Sequence, residues 1–303
     1  MNSFNSLLNF KKHMSYKNNK FSKFRIAVCL SGQPRYWNIA VENIKNYFNF
    51  DINPHTGLEA ETDYFIHTWD TNTWRKPKEH HHIFENVKHN DKDKIIEAFN
   101  PVRFEQEEFI TENFHRAWDP MFYSHAKSLM LKRNYELDFD FEYDLVIKAR
   151  LDVVYDPNTK FPIQPIYPSL TCYSSNISKF PSEFNSNSFD DVIFWGNSPT
   201  MDLVGDQYHS FILDNGKIPT AYGITPVLSG PPGSTATFYP EDLNVTTFLG
   251  PGTLLYDHMK KLEVRMERIG IAYAVVRSTA VDANLDPMKD YAEVRRKWFE
   301  WYV

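Results

Sequence analysis

The sequence predicts an α/β fold with a mostly parallel central sheet, and three observations carry that prediction. Short continuous apolar runs at 25–31 (RIAVCLS) and 145–149 (LVIKA) are bounded by polar turns, as strands covered on both faces are. Segments with apolar residues at near-helical spacing stand between the runs, at 36–50 and 120–137. Charged and small polar residues collect directly after the runs, where ligands of open α/β sheets sit.

The run over 25–31 is the first strand, stopped by Ser31-Gly32-Gln33-Pro34-Arg35. Ile39, Val41, Ile44, Tyr47 and Phe48 set the helix over 36–50. A second strand follows over 62–68 (TDYFIHT), then a polar loop over 69–78. A short helix over 91–99 leads to a short strand over 102–105. The long helix over 120–137 turns Met121, Ala126, Leu129, Met130 and Tyr135 inward and feeds the strand over 145–149. Past Pro157 the pattern changes. Residues 161–187, rich in Pro, Ser, Asn and Tyr, read as a long loop, and 216–251 as a second irregular stretch. The rest reads as a strand over 190–195, helices over 199–213 and 252–268, a strand over 271–276 and a terminal helix over 290–302. With no repeat and no clean boundary, one domain over 25–303 is the simplest organisation, after a basic leader over 1–24.

The 303 residues, 42% hydrophobic and 24% charged, allow a sizeable core. The 24 Phe, 17 Tyr and 7 Trp either fill that core or stack on sugars or bases. A net charge of −6 opposes the field that nonspecific nucleic-acid binding requires, so no nucleic-acid partner is expected. No apolar run is long enough for a membrane span, and the leader lacks the apolar segment of a secretory signal. Cys29 and Cys172 make no disulfide framework, which leaves a soluble protein of a reducing, cytoplasmic compartment as the expectation. His80-His81-His82 lies in a polar loop.

Candidate chemistry gathers after the strands. Gly32 lets backbone approach a ligand, Ser31 and Gln33 can hydrogen-bond a base or ribose, and Arg35 can grip phosphate; the same residues also make an ordinary polar turn. The Gly- and Pro-rich stretches at 230–235 and 250–253 read as plain loops, because proline removes the N–H donors of a phosphate cradle. His67 and Asp70 either contact a base or ribose, or His67 is a hydrogen-bonded core residue. Ser124 and Lys127 share a helix face and suit a diphosphate, unless Lys127 is merely solvated. Arg150 and Asp152 point the same way from an extended segment, with Asp156 beyond. Either Asp152 and diphosphate oxygens hold Mn²⁺ or Mg²⁺, or Arg150 and Asp152 form a buried ion pair. Asp190 and Asp191 open a strand and can serve as general base, Asp191 being the preferred one for an inverting transfer, or are simply polar residues at its start. Asp206, Glu241 and Asp242 are further acidic candidates, and His258 is either a late metal ligand or a helix-surface histidine.

The order RIAVCLSGQPR (25–35), YFIHTWD (64–70), YDLVIKARLDVVYDP (143–157) and DDVIFWGNSPTMD (190–202) resembles a glycosyltransferase family of bacterial surface-polysaccharide clusters, large viruses and phages. The resemblance covers 25 to about 276 and implies a GT-A-like fold, with a Rossmann-like nucleotide half over 25–157 and an acceptor half over 158–303. It implies a nucleotide-diphosphate sugar donor and a glycan or other hydroxyl acceptor. It puts Ser31, Gln33 and Arg35 at the nucleotide, Asp152 at the metal-binding D-x-D position and Asp191 near the acceptor. Arg150 stands where the first Asp of that motif belongs, and can itself neutralise a leaving diphosphate. Two rival functions fit the same pattern: a nucleotidyltransferase, although SGQPR is short and glycine-poor for one, and a non-catalytic glycan-binding protein with aromatic loops as its contact surface.

Overall fold

The computed structural model of the chain describes residues 23–77, 82–110, 119–175, 189–208, 237–238, 247–248, 251–276, 284–286 and 289–300. The leader up to residue 22, His80 and His81, the loop over 230–235, and Glu241 and Asp242 lie outside them, as do most of the long stretches over 176–187 and 216–250.

Seven strands form the central sheet. Strand β1 (Lys23–Gly32) pairs in parallel with β2 (Glu59–Trp69) on one side and β6 (Leu145–Arg150) on the other. Outward from β2 lies β5 (Arg103–Glu107); outward from β6 come β9 (Phe194–Gly196), β8 (Thr171–Ser175) and β12 (Arg265–Ile269). All neighbours are parallel except β9, which runs against both β6 and β8. The order β12-β8-β9-β6-β1-β2-β5 is compatible with a Rossmann-like fold. From β1 the chain builds to one side through β2 and β5, then jumps back to β6. The gap between β1 and β6 is therefore the topological switch point, where a crevice opens beyond the carboxyl ends.

Helices cover both faces, so the alternation of β1 and β6 separates two cores rather than core from solvent. Ile26, Val28 and Leu30 of β1 and Leu145, Ile147 and Ala149 of β6 face one core, with Ile44 and Phe48 of α1 (Trp37–Phe48) and Trp195 of β9. Ala27, Cys29 and Val146 face the other, with Leu129 of α3 (Asp119–Phe139) and Met201 of α4 (Ser198–Gly205). Burying a large apolar side chain contributes roughly 2 kcal/mol, so these rows dominate the stability of the sheet. Glycine brings α4 against α3: a Cβ at Gly205 would lie 2.6 Å from Leu129 Cδ1. Asn43 ties α1 to β7 (Val153–Tyr155), its side-chain amide donating to Tyr155 O at 2.8 Å and accepting Tyr155 N–H at 2.6 Å. The other edge of β7 pairs antiparallel with β13 (Tyr273–Val275).

Several elements depart from expectation. The polar segment after β2 is not a loop but a ribbon, β3 (Thr71–Pro77) against β4 (His82–Lys88), and a two-stranded ribbon outside the sheet needs no apolar run. The short helix α2 (Lys92–Phe99) stands where expected. Strand β8 lies inside the expected long loop; its Thr, Ser and Cys side chains are buried, so it carries no alternation signal. The expected helix over 252–268 stops as α5 (Pro251–Lys261), and the remainder is the edge strand β12, whose charged residues stay partly solvated. Only Phe194–Gly196 of the expected strand over 190–195 is extended in the ladder. A two-residue ladder joins β10 (Thr237–Phe238) and β11 (Thr247–Phe248), and α6 (Tyr291–Glu300) is the terminal helix. Among the described residues no helix is long and apolar enough to cross a membrane.

Candidate active site

The carboxyl ends of β2, β1 and β6 present one aligned row, because Ser31 is in register with His67 on one side and Arg150 on the other. Parallel neighbours in register point to the same face. That face is the one covered by α3. The polar groups there sort into two clusters.

The first lies over β2 and β5. Ser124 on α3 accepts the Gly32 N–H at 2.8 Å and meets His67 Nδ1 at 2.8 Å. His67 Nε2 reaches Glu107 Oε1 at 3.3 Å, and Tyr123 donates to the same carboxylate at 2.8 Å. Lys127 pairs with Glu105 at 2.9 Å and Glu107 at 2.8 Å. His67 and Ser124 are fully buried, and burial holds the imidazole down to about 4, so it is neutral at pH 7. These residues staple α3 to the sheet: His67 is here a hydrogen-bonded core histidine, and Lys127 is held by carboxylates rather than solvated. Gly32 adopts a φ of +111°, a conformation that favours glycine, and among the described residues a Cβ there would meet nothing within 4 Å. Asp70 accepts from Thr71 Oγ1 at 2.8 Å and from the Phe109 N–H at 3.0 Å, fastening the base of the ribbon. Tyr123 and Lys127 of this cluster also line a small cleft, with Ala126, Met130 and Tyr208.

The second cluster sits at the switch point between β1, β6 and β9. Arg150 grips Asp152 with both ends of its fork, Nε to Oδ1 at 2.8 Å and Nη2 to Oδ2 at 2.7 Å. Arg35 Nη2 stands 3.6 Å from Asp152 Oδ2. Lys148, fully buried on β6, donates to the Asp191 carbonyl at 2.7 Å and lies 5.3 Å above the Phe194 ring. Because β9 runs antiparallel to β6, the residues entering it arrive at the same end of the sheet as those leaving β6. Asp190 and Asp191 are thereby brought beside Lys148 and Asp152, and their charges act on the Lys148 ammonium. Asp190 Oδ1 accepts the Val192 N–H at 2.9 Å and the Tyr273 hydroxyl at 3.0 Å. Its other oxygen is buried with no hydrogen-bond partner among the described residues. Burial, with the Asp191 charge second, pushes the Asp190 carboxyl up to about 8, and burial draws the Lys148 ammonium down to about 7.

The structure thus pairs Arg35 and Arg150 with Asp152, and Lys148 feels the charges of Arg150, Asp152, Asp190 and Asp191 together; Ser31 is in register with Arg150, and Gln33 lies in the turn that follows β1. It does not bring Asp156 or His258 to them. Asp156 lies past β7, about 13 Å from Asp152 by strand geometry, and accepts the Asn158 N–H in a turn. His258 is buried between α5 and α4, where it bonds Leu203 O at 3.2 Å; it is not a helix-surface histidine. Asp206 follows α4 as its C-cap. Of the proposed ligands only Asp152 is in the cluster, and both its oxygens are taken by guanidinium. Two cationic groups around one carboxylate do not fit a divalent ion in this arrangement.

Four participants escape a reading of the sequence. Lys148 hides in an apolar run, where a lone Lys inside an otherwise buried strand is the available signal. Tyr273 comes from 83 residues beyond Asp190 and carries no local signal. Glu107 ends an edge strand. His125, on the buried face of α3, has both ring nitrogens without a partner among the described residues, and burial next to Lys148 and Arg150 holds it neutral. The Ser31 hydroxyl, also buried, is unpartnered in the same sense. No protein-family model matches the chain, and a search of curated proteins finds no match either.

Proposed function

We propose that the protein is a GT-A-like glycosyltransferase that moves a sugar from a nucleotide-diphosphate donor to a hydroxyl acceptor. The observation that carries this reading is the presence, at the switch point, of two guanidinium groups held on Asp152 and of a buried carboxyl, Asp190, whose proton affinity is raised. Arg35 and Arg150 supply positive charge where a diphosphate leaves. Asp190, near Lys148 and anchored by Tyr273, has a carboxyl near 8, close to the working pH of a general base. In a direct displacement the acceptor oxygen attacks the anomeric carbon and the bond to the diphosphate breaks. Its electron pair leaves on the diphosphate oxygen, and the acceptor proton passes to the free oxygen of Asp190. The charge of the neighbouring Asp191 raises that affinity for the proton. No step is routed through a metal ion.

The test is a thermal-shift screen with UDP-, GDP- and CMP-sugars and nucleoside triphosphates, followed by donor turnover with the positive class. Asp190→Asn is expected to lower turnover by about 10²–10⁴-fold without loss of donor binding. Wild-type activity should climb as pH rises through about 8, as the carboxyl ionises. Turnover unchanged in Asp190→Asn removes Asp190 from the mechanism. A shift with triphosphates alone favours a nucleotidyltransferase, and no shift with any nucleotide favours a glycan-binding protein.

A further inference from the structure

The glycosyltransferase reading places a diphosphate at the switch point, and the role of Asp152 inferred here rests on that reading. A carboxylate in that position suggests a divalent ion bridging protein to phosphate. The geometry at Asp152 points elsewhere. The Asp152 side chain is 2% exposed, whereas those of Arg150 and Arg35 are 19% and 25% exposed. A ligand entering from solvent therefore meets guanidinium before carboxylate. Both Asp152 oxygens accept from the Arg150 fork, and Oδ2 also faces Arg35. The two arginines come from different strand ends, β1 and β6, and Asp152 is the common group between them. A buried carboxylate shared by two guanidinium groups fixes their planes and their spacing; it offers a cation a place already surrounded by positive charge.

We infer that Asp152 is a positioning residue. It holds Arg35 and Arg150 as a two-pronged clamp for a diphosphate, and the clamp works without a divalent ion. Arginine suits this use, because its planar fork can face a carboxylate with one edge and phosphate with another. Leu151, fully buried between the two charged residues, anchors the turn that carries them.

Calorimetric titration of the full chain with inorganic pyrophosphate, in EDTA and in magnesium chloride, tests this. The wild type should bind in EDTA, with Kd within about threefold of that in magnesium, as expected when arginine forks carry the contact. Arg150→Lys should weaken binding about tenfold, since an ammonium cannot make the fork. In an Asp152→Asn background the same change should weaken it less than about threefold, because Arg150 is then no longer held, which is the coupling a double-mutant cycle reads. Additive effects of the two substitutions would overturn the positioning role. Binding that appears only with magnesium, and is abolished by Asp152→Asn, would overturn the inference while leaving the diphosphate site intact. No wild-type binding in either buffer would overturn both this and the glycosyltransferase reading. The comparison of buffers needs no variant, so it stands even where a substitution fails to fold.

Discussion

Replacing Lys148 by Met should make the protein more stable. The Lys148 side chain is fully buried, and its ammonium falls from an ordinary 10.5 to about 7 chiefly through burial. At about 1.4 kcal/mol per pH unit, that gap corresponds to roughly 4 kcal/mol of penalty at pH 7. Against it stand the hydrogen bond to the Asp191 carbonyl and the approach to the Phe194 ring. Losing them costs about 2 kcal/mol together. Methionine fills similar space without the charge, so the net gain is about 2 kcal/mol, or a Tm rise of roughly 3–4 °C for a domain of this size. The sign with pH follows from the direction of the shift. A lysine depressed in the fold binds fewer protons there than when unfolded, so the wild type gains stability as pH rises from about 7 to 10.5. The advantage of Lys148→Met should therefore be full at or below pH 7, reach zero at about pH 9, where the penalty has fallen to the roughly 2 kcal/mol of lost contacts, and reverse above it. Scanning calorimetry from pH 6 to 10 reads both quantities. A variant Tm below wild type at pH 7, or an advantage that does not shrink with pH, would refute the reasoning and make Lys148 a stabilising ion-pair partner. Since the Lys148 ammonium also fixes the backbone at Asp191, donor turnover should fall in the same variant.

Two further outcomes are expected. His125→Phe should change stability by less than about 1 kcal/mol in urea denaturation, because its ring nitrogens have no hydrogen-bond partner among the described residues and its neighbours Phe122 and Phe194 already accept an aromatic ring; a loss above 2 kcal/mol would reveal a partner. Lys132→Ala should cost about 3–5 kcal/mol in the same assay, since the fully buried ammonium bonds Glu136 at 2.8 Å and Asp202 at 2.7 Å, and both carboxylates would be left behind; a loss under 1 kcal/mol would mean that water enters the gap.

How far each element is legible in the sequence depends on how it is covered. β1 and β6 are buried on both faces and so read as apolar runs, and α1 shows its buried stripe as spacing. β8 and β12 escape for opposite reasons: the first buries Thr, Ser and Cys, and the second leaves charge in water at the edge of the sheet. In the site, the turn residues Arg35, Arg150 and Asp152 are legible because charge directly after a strand is a local signal. Their mutual pairing stays open between ion pair and metal in the sequence, a choice that depends on side-chain direction. Tyr273 and His125 are out of reach, since contact across β13, β9 and α3 leaves no trace in neighbouring residues.

The reversal of β9 has a consequence for engineering. Val146 pairs with Gly196 and Lys148 with Phe194, so the sheet itself returns the chain to the place it left at Asp152. The excursion between them begins and ends at anchored points. Over the exposed residues 157–160, length enters chiefly through the closure entropy of a loop, where each doubling costs about 0.6 kcal/mol. That stretch can therefore be exchanged or lengthened while the ladder keeps β6 and β9 in register, whereas Phe161, Ile163 and Tyr167 are buried in the core and must stay. A library diversified there would vary the surface beyond β7 without moving the carboxylate.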